Sequence, residues 1–281
     1  MITYTSCSQV DFKDVHSAFL EGFSDYIIKF TPTQADFKER FFGAEGNSLD
    51  NSFIAYEGQN PVALALGGIR NYHGVKTLRC GAMCVFPSFR RKGLSLMLLD
   101  MLKEKAKEQG CKQFMLEVIV ENHRAVKAYE KYGFEKLYDY YYYTLQDTST
   151  LRSMPEGYEV RELSKEEIKS LEHNFSDYPL NWQGTFEYGY LLANIKYYGV
   201  YQGDSLVGLM SLVGGRVSFL WVNKEHRNKG IATGLIRHGA LENSLEKLSI
   251  IVVNNSMLYG FVKGLGFQRD NISQYEMYLH L

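Results

Sequence analysis

The chain is poor in several features that would assign a class at once. Cysteine is scarce: Cys7, Cys80, Cys84 and Cys111 are the only four in 281 residues, and none forms a CxxC pair. That excludes a disulfide-stapled scaffold and a cysteine zinc site, and it leaves four thiols expected to be reduced and in the core. The seven histidines fall in no metal or triad spacing, so no metal is expected. Neither sign of charge is in excess, with 32 acidic against 31 basic residues. The balance removes any chain-wide electrostatic case for a nucleic acid or an anionic membrane as partner. No apolar run approaches the 18 residues of a membrane span, and the opening MITYTSCSQVDF is not a basic leader followed by an apolar stretch, so a cytoplasmic location is expected. Both the GxxxxGK[ST] phosphate loop and the GxGxxG dinucleotide turn are missing.

What is present is a globular composition, 45% hydrophobic and 22% charged, in a length that suits two ordinary domains. It also contains an internal repeat. Val85-Phe-Pro-Ser-Phe-Arg-Arg-Lys-Gly-Leu-Ser95 is echoed with identical spacing by Val222-Asn-Lys-Glu-His-Arg-Asn-Lys-Gly-Ile-Ala232. Each run is followed by an amphipathic helix pattern, an apolar strand, an Asn (Asn122, Asn255), a short helix and a Gly-Phe pair (Gly133-Phe134, Gly266-Phe267). The polar, turn-rich stretch from Gln146 to Gly157 reads as the linker, giving domains over 1–148 and 149–281. Within each copy, a strand hairpin followed by strand, helix and strand requires one parallel pairing with a right-handed crossover. The fold class expected is α/β: a mixed, mostly antiparallel sheet flanked by helices, made twice. The tyrosine run Tyr140 to Tyr143 reads as a strand whose rings pack.

A few residues stand out chemically. The turn Arg90-Arg91-Lys92-Gly93-Leu94-Ser95-Leu96, between a strand end and a helix start, offers backbone N–H groups, a helix dipole and positive charge to an anion such as a pyrophosphate. A solvated basic helix cap is the alternative. Glu117 stands in an otherwise apolar strand, where an ionised carboxylate is costly unless it is paired, hydrated or shifted in pKa. It is either a base able to take a proton from an ammonium or a structural ion-pair partner. Tyr129 shares a helix face with Ala125 and Tyr132 and either packs or donates a proton to a leaving thiolate. Asn122 either caps that helix or contacts a ligand.

Taken together, Val85-x-Pro-x-x-Arg90-x-x-Gly93-x-Ser95 and Leu116-Glu-Val-x-x-x-Asn122-x-x-Ala125-x-x-x-Tyr129-x-x-x-Gly133-Phe134 resemble the GNAT superfamily of N-acetyltransferases, in a tandem two-domain form. The loop signature departs at Ser95, where the family keeps Gly or Ala, and is matched in full by Arg227-Asn-Lys-Gly230-Ile-Ala232. The resemblance implies an acyl-CoA-dependent N-acetyltransferase with acetyl-CoA as donor, a small-molecule or peptide amine as acceptor and no metal. It implies that Met83, Cys84 and Val85 run beside the pantetheine arm, that Arg91 to Leu96 bind the pyrophosphate, and that Asn122 contacts CoA. Glu117 would be the general base and Tyr129 the acid. The segment from Ala18 to Tyr26 and Thr31 to Phe42 would border the acceptor, with Glu21 and Asp25 attracting a cation. A non-catalytic acyl-CoA sensor or scaffold, and a different acyl donor, are the competing readings. The second copy is expected to be catalytically degenerate, because Ile250 aligns with Glu117 and Val262 with Tyr129.

Overall fold

The computed structural model describes residues 1–175 and 180–281, with the side chain of Ser256 also left aside. The chain divides into two units, Met1–Tyr138 with Gln274–Leu281, and Asp139–Ser273.

The first unit runs β1 (Ile2–Ser6), α1 (Phe12–Gly22), α2 (Gln34–Glu39), β2 (Asn47–Glu57), β3 (Asn60–Tyr72), β4 (Val75–Val85), α3 (Leu94–Glu108), β5 (Gln113–Ile119), α4 (His123–Tyr132) and the start of β6 (Glu135–Leu145). Its strand order is β1-β2-β3-β4-β5, antiparallel except for the expected parallel β4–β5 pair. Period-two alternation gives the sheet two apolar faces. Leu78, Cys80, Leu116 and Val118 point to one face and pack with Leu98, Leu99 and Leu102 of α3 and Tyr129 of α4. Ile54, Leu64, Leu66 and Cys84 point to the other and pack with Val15, Phe19 and Phe37 of α1 and α2.

The second unit contains β7 (Glu159–Leu163), α5 (Lys165–Leu171), α6 (Phe186–Tyr190), β8 (Ile195–Gln202), β9 (Ser205–Val213), β10 (Arg216–Val222), α7 (Ile231–Glu242), β11 (Leu248–Val253), α8 (Ser256–Gly264) and the start of β12 (Gln268–His280). Its order is β7-β8-β9-β10-β11, again with one parallel pair, β10–β11.

The sixth strand of each unit comes from the other copy's sequence. Gln274–His280 of β12 lie antiparallel beside β5 in the first unit, and Tyr140–Leu145 of β6 lie antiparallel beside β11 in the second. A single cut at residue 148, as the sequence suggested, therefore does not describe the two units: it falls inside the second. The stretch taken for a linker is docked there. Thr148 N–H donates to Glu246 O at 2.9 Å, Thr148 Oγ1 to Leu245 O at 2.7 Å, and Leu151 is buried. The tyrosine run packs, as expected: Tyr140 and Tyr143 are buried.

Candidate active site

The site grows out of one irregularity in β4. The β3–β4 register shifts between Leu66 and Gly67, leaving Gly81 as an extra residue. Such a bulge bends the strand and reverses which face the following residues take. Cys80 lies in the α3 and α4 core and Cys84 in the α1 and α2 core. Glycine is required there, since a Cβ would come within 2.2 Å of Asn47 Oδ1. The Asn47 amide is oriented by Nδ2 donating to Phe41 O at 2.7 Å, and its buried Oδ1 has no partner. Parallel pairing of β4 with β5 ends at Cys80–Leu116. Beyond it Ala82–Val85 and Glu117–Ile119 part, and among the described residues the backbone of Met83 and Cys84 has no strand neighbour on that side.

The loop after β4 then closes on itself. Arg91 and Gly93 both adopt positive φ, 63° and 82°, and Gly93 is the N-cap of α3, with no side-chain cap. Leu96 N–H turns back to Gly93 O at 3.1 Å, and no side chain caps the N–H groups ahead of it in this 15-residue helix, which can face an anion. A Cβ on Gly93 would meet nothing within 4 Å, so open space lies in front of it. Replacing Gly93 with Val is expected to weaken CoA binding at least tenfold, through obstruction of that space and the strain of a β-branched residue at positive φ. Calorimetry checks it, with thermal melting as the control on folding.

Arg90 and Arg91 divide the work. Arg90 Nε donates to Val85 O at 3.0 Å and its two terminal nitrogens grip Asp25 at 2.5 and 2.6 Å, so Arg90 braces the loop rather than offering its charge to a ligand. Arg90 holds the Asp25 carboxyl below its ordinary range, and Asp25 is thus occupied and not a lure for a cation. Arg91 and Lys92 are exposed, with Lys92 Nζ 4.6 Å from the Phe89 ring centre. Leu94 is buried and Leu96 exposed, so these two can offer an anion only backbone. Cys84 is likewise limited to its backbone: its thiol donates to Ala18 O, and burial pushes it up to about 12. All four cysteines are free and buried.

Glu117 stands at the parting of β4 and β5, on the face opposite α3 and α4, with its side chain 10% exposed. Arg79 Nε donates to Glu117 Oε2 at 2.7 Å, and Arg79 Nη1 to Glu45 Oε2 at 2.8 Å. Burial pushes the Glu117 carboxyl above its ordinary range against the pull of Arg79. Directly across the strand pair lies Glu276, which the sequence reading did not single out. It is 1% exposed and accepts from Tyr278 Oη at 2.5 Å and Tyr72 Oη at 3.2 Å. Burial, then the Glu117 charge, pushes Glu276 up to about 8. Arg79, Glu45 and Tyr72 were missed as well. An isolated charge in an apolar strand was the available signal for Arg79 and Glu276, the same one that singled out Glu117.

Tyr129 approaches from the opposite face. Its ring is 5.8 Å from that of Phe134 and is almost wholly buried, which satisfies the packing reading. Its phenol end lies near Cys80, Tyr26 and Cys84, at the same parting of the strands, and burial raises its pKa well above the ordinary value. Asn122 takes the capping role: Oδ1 accepts from Ala125 N–H at the start of α4, and the side chain also bonds Tyr26.

The profile of the Acetyltransferase (GNAT) family matches residues 13–134, the stretch that holds the bulge, the loop, Glu117 and Tyr129. Those residues are a GNAT acetyltransferase domain. Among solved structures, a tandem GNAT protein from the clavulanic acid biosynthesis pathway is similar over 100% of this chain and 98% of its own, at 14% identity and TM-score 0.73. A GCN5-related N-acetyltransferase from Sphaerobacter thermophilus is similar over 99% and 95%, at 14% identity and TM-score 0.71. A putative acetyltransferase from Pyrococcus horikoshii covers 100% and 89%, at 16% identity and TM-score 0.67. At these identities the likeness is one of fold. No curated protein matches in sequence. GNAT enzymes take an acyl group from acyl-CoA to an amine, and the first unit holds the GNAT domain.

The second unit repeats the strand and turn geometry of the first. Its β9–β10 register shifts around Ser218, and β10–β11 pairing ends at Val217–Ile250. Asn228 and Gly230 have φ of 62° and 85°, and Arg227 Nε donates to Val222 O at 3.0 Å, as Arg90 does to Val85. The positions of Glu117 and Tyr129 are taken by Ile250 and Val262, both buried and neither able to move a proton.

Proposed function

We propose that the chain is an N-acetyltransferase that moves the acetyl group of acetyl-CoA to a primary amine, by direct attack in a ternary complex, in the first unit. The observation that supports this best is the parting of β4 from β5 with a carboxylate on one face and a phenol on the other. A thioester laid along Met83–Val85, its pyrophosphate on the N–H groups at the start of α3, would put the reacting carbon between them. The amine nitrogen bonds to the carbonyl carbon, the carbon–sulfur bond breaks, and the acetyl group leaves with nitrogen. Glu117 takes a proton from the ammonium, and a carboxyl raised by burial suits that exchange. Tyr129 gives a proton to the departing thiolate, its raised pKa keeping it loaded, and the proton that the nitrogen sheds as the amide forms restores the phenol. Asn47 Oδ1, unpaired beside Gly81, is a further acceptor for the amine. The second unit would bind or shape rather than catalyse.

The test is thiol release from acetyl-CoA in the presence of a panel of primary amines. Release by wild type, retained in the Arg227→Ala/Gly230→Val double variant and lost in Gly93→Val, is the expected pattern. Binding without release for every amine would favour an acyl-CoA sensor, and release only from a longer acyl-CoA would change the donor. Loss of release in the double variant, with first-unit CoA binding intact, would move chemistry into the second loop.

A further inference from the structure

Glu117 and Glu276 are directly opposed residues of an antiparallel pair, so they share one face with Cβ atoms about 4.5–5.5 Å apart. Like charges placed so are repulsive, and both carboxyls are withdrawn from water. The groups facing them from the packed elements are few. Arg79 on β4 reaches Glu117 and Glu45. On β3, Tyr72 reaches Glu276, with the exposed His73 ring 4.3 Å from the Tyr72 ring, and Arg70 donates to Ala44 O. Tyr278 on β12 itself holds the other Glu276 oxygen. Three carboxyls thus stand around Arg79, whose bonds go to Glu45 and Glu117 and not to Glu276. Glu276 is held by two phenols, which bear no formal charge.

We infer that Glu117 and Glu276 form a proton-sharing carboxyl pair in which Glu276 keeps the proton, leaving the charge on Glu117. Glu276 is then a positioning residue: it fixes the ionisation state of its neighbour without touching the substrate. Its value for acetyl transfer rests on the reading of Glu117 as the base, whereas the sharing itself does not. The pair carries one negative charge until Glu276 ionises and gains a second above that pH. The step matches the burial and like-charge repulsion that push Glu276 up to about 8.

Carbon-13 NMR titration of glutamate carboxyl carbons, on the full chain with no ligand, tests it. The Glu276 signal is identified by its loss in Glu276→Gln. Glu276 should titrate last, near pH 8. Glu117→Gln should lower its midpoint by about one unit or more, since a like charge is gone. Glu276→Gln should move the Glu117 midpoint by less than about half a unit, because Glu276 is neutral when Glu117 titrates. Tyr278→Phe, which keeps both carboxyls, should push the Glu276 midpoint further up by removing a donor to its carboxylate. A Glu276 midpoint in the ordinary carboxylate range, or one unmoved by Glu117→Gln, would overturn the pairing while leaving thiol release untouched. Conversely, absence of thiol release with the coupling intact would overturn the reading of Glu117 as base and not the pair.

Discussion

Ending the chain at Ser273 should abolish the folded first unit and, with it, thiol release. Gln274–His280 make seven cross-strand pairs with β5, and Met277 and Tyr278 are buried at 0% and 5% exposure. Each large side chain withdrawn from water contributes about 1.5–3 kcal/mol, against a typical total stability of about 5–15 kcal/mol. The truncation also bares the edge of β5 beside Phe114, Leu116 and Val118, a row of unpaired N–H and C=O groups that invites association. A fragment stopped near residue 150 has the same defect. Amide exchange, read separately for the two units, and size-exclusion chromatography measure the outcome. The prediction fails if residues 1–138 keep their protection and the truncated chain still turns over.

Tyr129→Phe should lower turnover by roughly 10²- to 10⁴-fold, the range for general acid–base groups, with CoA affinity nearly unchanged. The substitution keeps the ring against Phe134 and removes only the hydroxyl near Cys80 and Cys84, so thermal stability should hold. Glu117→Gln should lose a similar factor for amines that arrive protonated. It also takes the Glu117 carboxylate from Arg79, whose bond to Glu45 stays, so some stability is lost with it. Steady-state kinetics alongside calorimetry separate the two effects. Wild-type turnover in both variants would return Tyr129 to packing and Glu117 to its ion pair.

The tandem repeat, the phosphate-type loops and the parallel strand pair were legible because each is local: turn residues at fixed offsets, helical spacing, a strand–helix–strand order. The exchange of last strands was not. Alternation in Gln268–His280 marks a strand with two faces, but the edges of β5 and β11 offer it the same backbone template. The bulge was equally hidden, since Gly81 reads as one more strand residue until Asn47 is seen across it. Glu117 was legible as an anomaly and not as one of a group. Its partners come from β4, 38 residues earlier, and from β12, and a single isolated charge gives no hint of which strand will face it.

The borrowed strand also sets an order in time. Tyr72 and Glu276, which meet in the first unit, are 204 residues apart in the chain. At about 5–20 residues per second, a ribosome takes roughly 10–40 s to make that stretch. β5 is made part-way through that stretch and then has no neighbour on its outer edge until Gln274–His280 follow, while Tyr140–Leu145 are already synthesised when β11 emerges to pair with them. The half bearing the candidate active site, though most of it is made first, therefore cannot close its sheet until Gln274–His280 have been made.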